Sequence, residues 1–167
     1  QQPDYGICIQ TRNVRALDID IEDKGKADAV IIFIDRWLDD HDPPVRRRSN
    51  SGKCLMAFRV EGELGKRVLK VEGGMIEFLA TGQQFIAAGQ HPSGARYEWV
   101  WGGDDGFPTL TLEEFENLWM ALELEFGIAD STERGLRNKA DGVVVTDNTV
   151  QFLEEKGYVL GYGPEGQ

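Results

Sequence analysis

Two aspartates in an apolar frame, Leu17-Asp18-Ile19-Asp20-Ile21, are the first residues here whose types and spacing could do chemistry. On a β-strand successive side chains point to opposite faces, so Asp18 and Asp20 share one face, their Cα atoms roughly 6.5 Å apart. Carboxylates placed in this way can share hard cations such as Mg²⁺ or Mn²⁺, which prefer oxygen ligands. Two such ions about 3.5–4 Å apart suit an in-line phosphoryl displacement. The same alternation also arises on half-buried strands whose polar face meets water, so the pair alone decides nothing. Glu77 is a third carboxylate, alone in Met75-Ile76-Glu77-Phe78-Leu79. If it is buried there, its charge is costly without a partner or a metal; if it faces solvent, it needs neither.

A basic segment, Arg46-Arg47-Arg48-Ser49-Asn50-Ser51-Gly52-Lys53, offers the complementary charge. Gly and Ser let backbone N–H groups approach an anion, and arginine and lysine suit a triphosphate. It is not a Walker A loop, because the leading glycine is missing and Cys54 stands where Ser or Thr belongs. A solvated basic loop would look the same. Further on, His91 in Gly89-Gln90-His91-Pro92 is able to donate to a phosphate or a hydroxyl. Tyr97, Trp99 and Trp101 alternate with Glu98 and Val100, so the aromatics share a face. Such a row can stack bases, although it more often fills a sheet core. The cysteines and histidines at 8, 41, 54 and 91 lack the close pair spacing of a zinc site.

These residues need a scaffold, and 167 residues with 41% hydrophobic content suffice for one domain with a sizeable core. Strands are expected at Tyr5 to Ile9, Val14 to Ile21, Cys54 to Val60, Arg67 to Glu72, Met75 to Ala80, Gln83 to Ala88 and Tyr97 to Trp101. The separators Gly73-Gly74, Thr81-Gly82 and Pro92-Ser93-Gly94 are turn chemistry. Ala27 to Asp39 has strand propensity, but its apolar residues repeat on one helical face and its length favours a helix. Thr111-Leu-Glu-Glu114 is a capping box that opens a second helix, with an apolar stripe from Leu112 to Phe126 closed by Gly127. Residues 129–142 read as loop, a short helix capped at Thr146 or Asp147 follows to Lys156, and 161–167 reads as linker. This is an α+β pattern rather than a doubly wound sheet. A strand this early and the terminal linker suggest a piece of a longer protein: one domain over 1–167, with its core at 5–128.

The net charge of −11 argues against a nucleic-acid coat protein. Positive charge gathers at Arg46 to Arg59 and Lys66 to Lys70, while Glu113 to Glu125 is acidic. That pattern implies one electropositive site on an acidic body, with weak template affinity for the chain alone. No apolar run approaches the roughly 18 residues of a membrane span, and two cysteines fit a reducing cytoplasm.

Taken in order, these features resemble the bifunctional primase-polymerases of the archaeo-eukaryotic primase superfamily, of the kind carried by phages and plasmids. Tyr5 to Ile9 and Val14 to Asp20 resemble the strand pair that leads into the first motif, whose Asp-x-Asp binds metal. Arg47 to Arg59 resembles the basic second motif, except that Ser51-Gly52-Lys53 replaces a frequent Ser-x-His. Glu77 is similar to the third metal carboxylate, and Gln83 to Trp99 resembles the segment after it. The resemblance implies an RRM-like mixed or antiparallel sheet with flanking helices, and template-directed nucleotidyl transfer in phage or plasmid replication, in the host cytoplasm if phage-encoded. Asp18, Asp20 and Glu77 would hold two divalent ions, Mg²⁺ or Mn²⁺. Arg47, Lys53 and His91 would hold the nucleoside triphosphate, with Arg48 and Ser51 assisting. Single-stranded DNA template and primer are the implied partners, with a helicase often in the same polypeptide. Two rivals are a haloacid-dehalogenase-like phosphatase, with Asp104-Asp105 as its later acidic motif, and a non-catalytic nucleic-acid-binding module.

Overall fold

The computed structural model describes residues 6–39, 41–102 and 106–128, all within the unit Gln1–Ile128. The expected loop at 129–142, the short helix to Lys156, the linker at 161–167 and Asp104-Asp105 lie outside them. Among the described residues nine strands and two helices follow one another as β1 (Ile7–Gln10), β2 (Val14–Ile21), α1 (Lys24–Trp37), β3 (Val45–Arg48), β4 (Cys54–Val60), β5 (Arg67–Val71), β6 (Gly74–Leu79), β7 (Gln84–Gln90), β8 (Arg96–Trp101), β9 (Thr109–Leu110) and α2 (Leu112–Phe126).

The strands form one sheet in the order β1-β7-β8-β3-β4-β2-β6-β5, antiparallel throughout. Short β9 runs parallel to the far end of β4, pairing with Arg59 and Val60 where β3 does not reach. No helix intervenes from β3 to β9. The strand–helix alternation that a dehalogenase-like phosphatase requires is therefore absent from the described residues.

Helix α1 starts because Asp23 is free to cap it, its side chain accepting from the Lys26 N–H at 3.0 Å. Its apolar stripe of Ala27, Val30, Ile31 and Ile34 is buried at helical spacing. Helix α2 opens on the expected capping box: Thr111 Oγ1 accepts from the Glu114 N–H at 3.2 Å, and the Glu114 carboxylate accepts from the Thr111 N–H at 2.6 Å. Both helices cover one face of the sheet, where Leu17, Ile19, Met56, Phe58, Ile76 and Phe78 form the main core with Ile31, Phe115 and Leu118. Thr111→Ala should cost about 0.5–2 kcal/mol in urea denaturation. An unchanged midpoint would mean that Phe115 and Leu118 packing alone fixes the start of α2.

On the other face a smaller core joins Ala16 of β2 and Ala57 of β4 to Phe85 and Ala87 of β7. Since β2 and β7 stand four places apart in the sheet, this contact means the sheet curls over its own face. The curl leaves the Asp18 side of β2 facing a partly enclosed cleft. One expectation is corrected here: residues 45–48 are a strand, not part of a loop. Val45–Arg48 lacks apolar alternation, and its extended form comes from pairing with β4 and β8.

Candidate active site

Alternation along β2 buries Leu17, Ile19 and Ile21 under the helices and turns Asp18 and Asp20 to the opposite face. The antiparallel register of β2 and β6 sets Glu77 directly opposite Asp18, and Met75 opposite Asp20. Directly opposed residues share a face, so all three carboxylates lie on one side of the sheet.

The cationic wall comes from β3 and the loop after it. Arg46 and Arg48 alternate with Arg47, so they face the carboxylate side while Arg47 points toward α1. Arg46 is only 8% exposed, its guanidinium 4.3 Å from the centroid of the Tyr97 ring, and it donates to the Ile86 carbonyl. Arg48 lies 5.8 Å from the same ring. Arg47 is committed elsewhere, donating to Asp28 and, at 3.3 Å, to the Gly52 carbonyl. Gly52 packs so closely on the Glu22 carbonyl that no Cβ fits. That approach delivers Lys53, whose Nζ lies 2.5 Å from Asp20 and 3.2 Å from Glu22. Ser51 Oγ donates to Glu22 at 3.1 Å and accepts from the Lys53 N–H at 3.2 Å, so it supports the loop.

Asp18, Asp20, Arg46, Arg47, Arg48, Lys53, Cys54 and Tyr97 line a single open cleft. The lining gathers four cationic side chains and two carboxylates on a protein of net charge −11. His91 stands beside it, edge-on to Tyr97 with ring centroids 5.9 Å apart. Its Nδ1 accepts from the Ser93 N–H at 3.1 Å, which puts the proton of the neutral ring on Nε2. Desolvation and the nearby Arg48 charge lower its pKa. Asn50 donates to Ser93 Oγ at 2.9 Å and so joins the two loops. Of the aromatic row, Tyr97 lines the cleft, and Trp99, 37% exposed, packs edge-on to Phe107.

The sequence singles out Arg46 only as part of the basic segment and Tyr97 only as one of an aromatic row, whereas both line the cleft. Strand alternation over Val45–Arg48 is the signal for Arg46, since it separates Arg46 and Arg48 from Arg47. Among the described residues no three His, Cys, Asp or Glu side chains are gathered closely enough to hold one metal ion. Asp20 faces Lys53, and Glu77 faces Lys66 at 2.6 Å. The donor set still fits hard divalent cations, being all carboxylate oxygen on one face of the sheet.

Residues 1–114 match the family described as bifunctional DNA primase/polymerase, N-terminal (Prim-Pol). The chain belongs to this family. No curated protein and no solved structure matches it. The Prim-Pol match makes the chain a nucleotidyltransferase-type domain acting on nucleotides and DNA. The matched span contains every residue of the cleft. No helix among the described residues is long and apolar enough to cross a membrane.

Desolvation raises the pKa of Asp18 in this Prim-Pol cleft, with Asp20 and Glu77 adding to the rise and Arg46 opposing it. An acid whose folded pKa lies above its unfolded one weakens folding once pH passes the unfolded value. Asp18→Asn should therefore stabilise the metal-free protein at neutral pH. The gain should vanish as pH falls below the usual carboxylate range, where both forms are neutral. Urea titrations of both proteins in chelator across that range test it; a loss of stability at neutral pH would contradict the sign.

Proposed function

We propose that this cleft performs metal-assisted, template-directed nucleotidyl transfer, with a core of the archaeo-eukaryotic primase type. The observation that carries the reading is the register Asp18↔Glu77, which sets three carboxylates on the face that also presents Arg46, Arg48 and Lys53. Asp18, Asp20 and Glu77 would hold divalent cations, which when bound would activate the attacking hydroxyl and neutralise leaving-group charge. The oxygen of a primer 3′-hydroxyl, or of a first nucleotide, bonds to the α-phosphorus of the incoming triphosphate. The bond from that phosphorus to the bridging oxygen breaks, pyrophosphate departs, and the hydroxyl proton passes to water.

The chain's own groups orient these partners. Arg46 is pinned by Tyr97 and the Ile86 carbonyl, so its charge is pre-set toward the phosphates. Lys53 and Arg48 supply mobile charge, and His91 Nε2 supplies a donor at the rim. Arg47 holds the loop to α1 rather than the substrate. The proposed setting is phage or plasmid replication, with single-stranded template and a helicase beyond this segment.

A labelled-nucleotide incorporation assay on primed and unprimed single-stranded DNA, with Mn²⁺ or Mg²⁺, tests the activity. Absence of incorporation by the folded chain in both metals would defeat the reading. Lys53→Ala should weaken triphosphate binding by about ten- to a hundredfold, the range expected for a charge-assisted contact. Titration with a fluorescent nucleotide checks this, and an unchanged affinity would remove Lys53 from the phosphate site.

A further inference from the structure

The three carboxylates are not treated alike. Asp20 has Lys53 as partner from the β3–β4 loop, and Glu77 has Lys66 from the β4–β5 loop. Asp18, between them, has no ion pair among the described residues and stays desolvated. Like charges set opposite one another on a sheet repel, so without the two lysines this face would be strained by its own charge. Each ammonium thus lies on a carboxylate oxygen, the kind of ligand that a hard cation prefers.

Resting on the metal-assisted reading above, we propose that Lys66 is a tethered counter-ion for Glu77 that exchanges with divalent cation. Metal entry displaces the ammonium from Glu77, and the released Lys66 turns to the anionic substrate. Lys66 is thereby a positioning residue that couples metal loading to substrate charge. The exchange is easy because the pair is half exposed, with side-chain exposures of 46% for Lys66 and 22% for Glu77. Ion pairs of that exposure are weak, whereas a dication brings twice the charge of an ammonium and prefers carboxylate oxygen. Lys53 can make the parallel move at Asp20 without leaving the site, because Glu22 holds it at 3.2 Å.

The test is Mn²⁺ binding by the full chain without nucleotide, read from the paramagnetic resonance signal of free Mn²⁺. Lys66→Met keeps the apolar stem and removes the competing charge. It should tighten Mn²⁺ binding by about two- to fivefold, the worth of a part-exposed ion pair. On a Glu77→Gln background the same substitution should change nothing, because there is no carboxylate left to compete for. An equal gain in both backgrounds would mean a through-space charge effect, and no gain in either would mean no competition; both overturn the proposal. A separate outcome strikes the underlying reading: Mn²⁺ affinity that is undetectable in the parent chain, or indifferent to Asp18→Asn and Asp20→Asn.

Discussion

Asp20→Asn should lower nucleotide incorporation by at least about a hundredfold while leaving the fold intact. The substitution is isosteric and sits on the cleft face, so Ile19 and Ile21 on the other side of β2 keep their places in the main core. On the proposed mechanism, what is lost is an anionic oxygen ligand. An amide oxygen is a poor replacement where the bound cation is hard and its charge must be matched. Substituting residues that only orient metal ligands typically costs 10–100-fold, so removal of a ligand charge should cost more. Lys53 also loses its 2.5 Å partner and falls back on Glu22. Primer extension with Mn²⁺, run beside a thermal melt, separates the outcomes. Activity within a few-fold of the parent chain would exclude Asp20 from the chemistry. Lost activity with a collapsed melt would make the residue structural.

The main carboxylate strand was legible because its apolar and acidic residues alternate at the strand period, and burial of Leu17, Ile19 and Ile21 leaves Asp18 and Asp20 one way to point. The capping box at Thr111 and the turns around Gly73 and Gly82 were readable for the same reason: each is a local interaction with a local signature. Strand β3 was not. Three consecutive arginines have no period, and what extends them is tertiary: β4 on one side, β8 on the other, Tyr97 under Arg46 and Asp28 against Arg47. Missing that strand hid that Arg46 and Arg48 share the carboxylate face while Arg47 alternates to the other. The register Asp18↔Glu77 was also beyond local signals, since it joins residues 59 positions apart. Only the family order of motifs suggested their meeting. The lysine partners of Asp20 and Glu77 depend on that same long-range register, so no spacing in the sequence announces them.

Gly74→Ala should disable the site from a position that carries no chemistry. Gly74 begins β6, opposite Ile21 of β2 and Val71 of β5, just after the Gly73 turn. A Cβ there would drive into the carbonyl of Asp20, with Ile21 Cα only 3.2 Å away. Both obstacles are backbone, so no side-chain rotation relieves them. The end of β2 and the start of β6 must part, at the residue that carries one carboxylate and three positions from another. Overpacking of this kind costs about 1–3 kcal/mol. Misplacing catalytic groups by about 1 Å can cost 10²-fold in rate, so activity should fall about a hundredfold even at temperatures where the variant is folded. Gly65→Ala is the control, because its Cβ would meet nothing within 4 Å. There the same chemical change should be neutral or stabilise by about 0.4–1 kcal/mol through the unfolded chain. Rates compared at a temperature where both variants are folded decide the matter. If Gly74→Ala loses stability but keeps the parent rate, the close packing of β2 on β6 serves the fold alone, and the carboxylate geometry tolerates the shift.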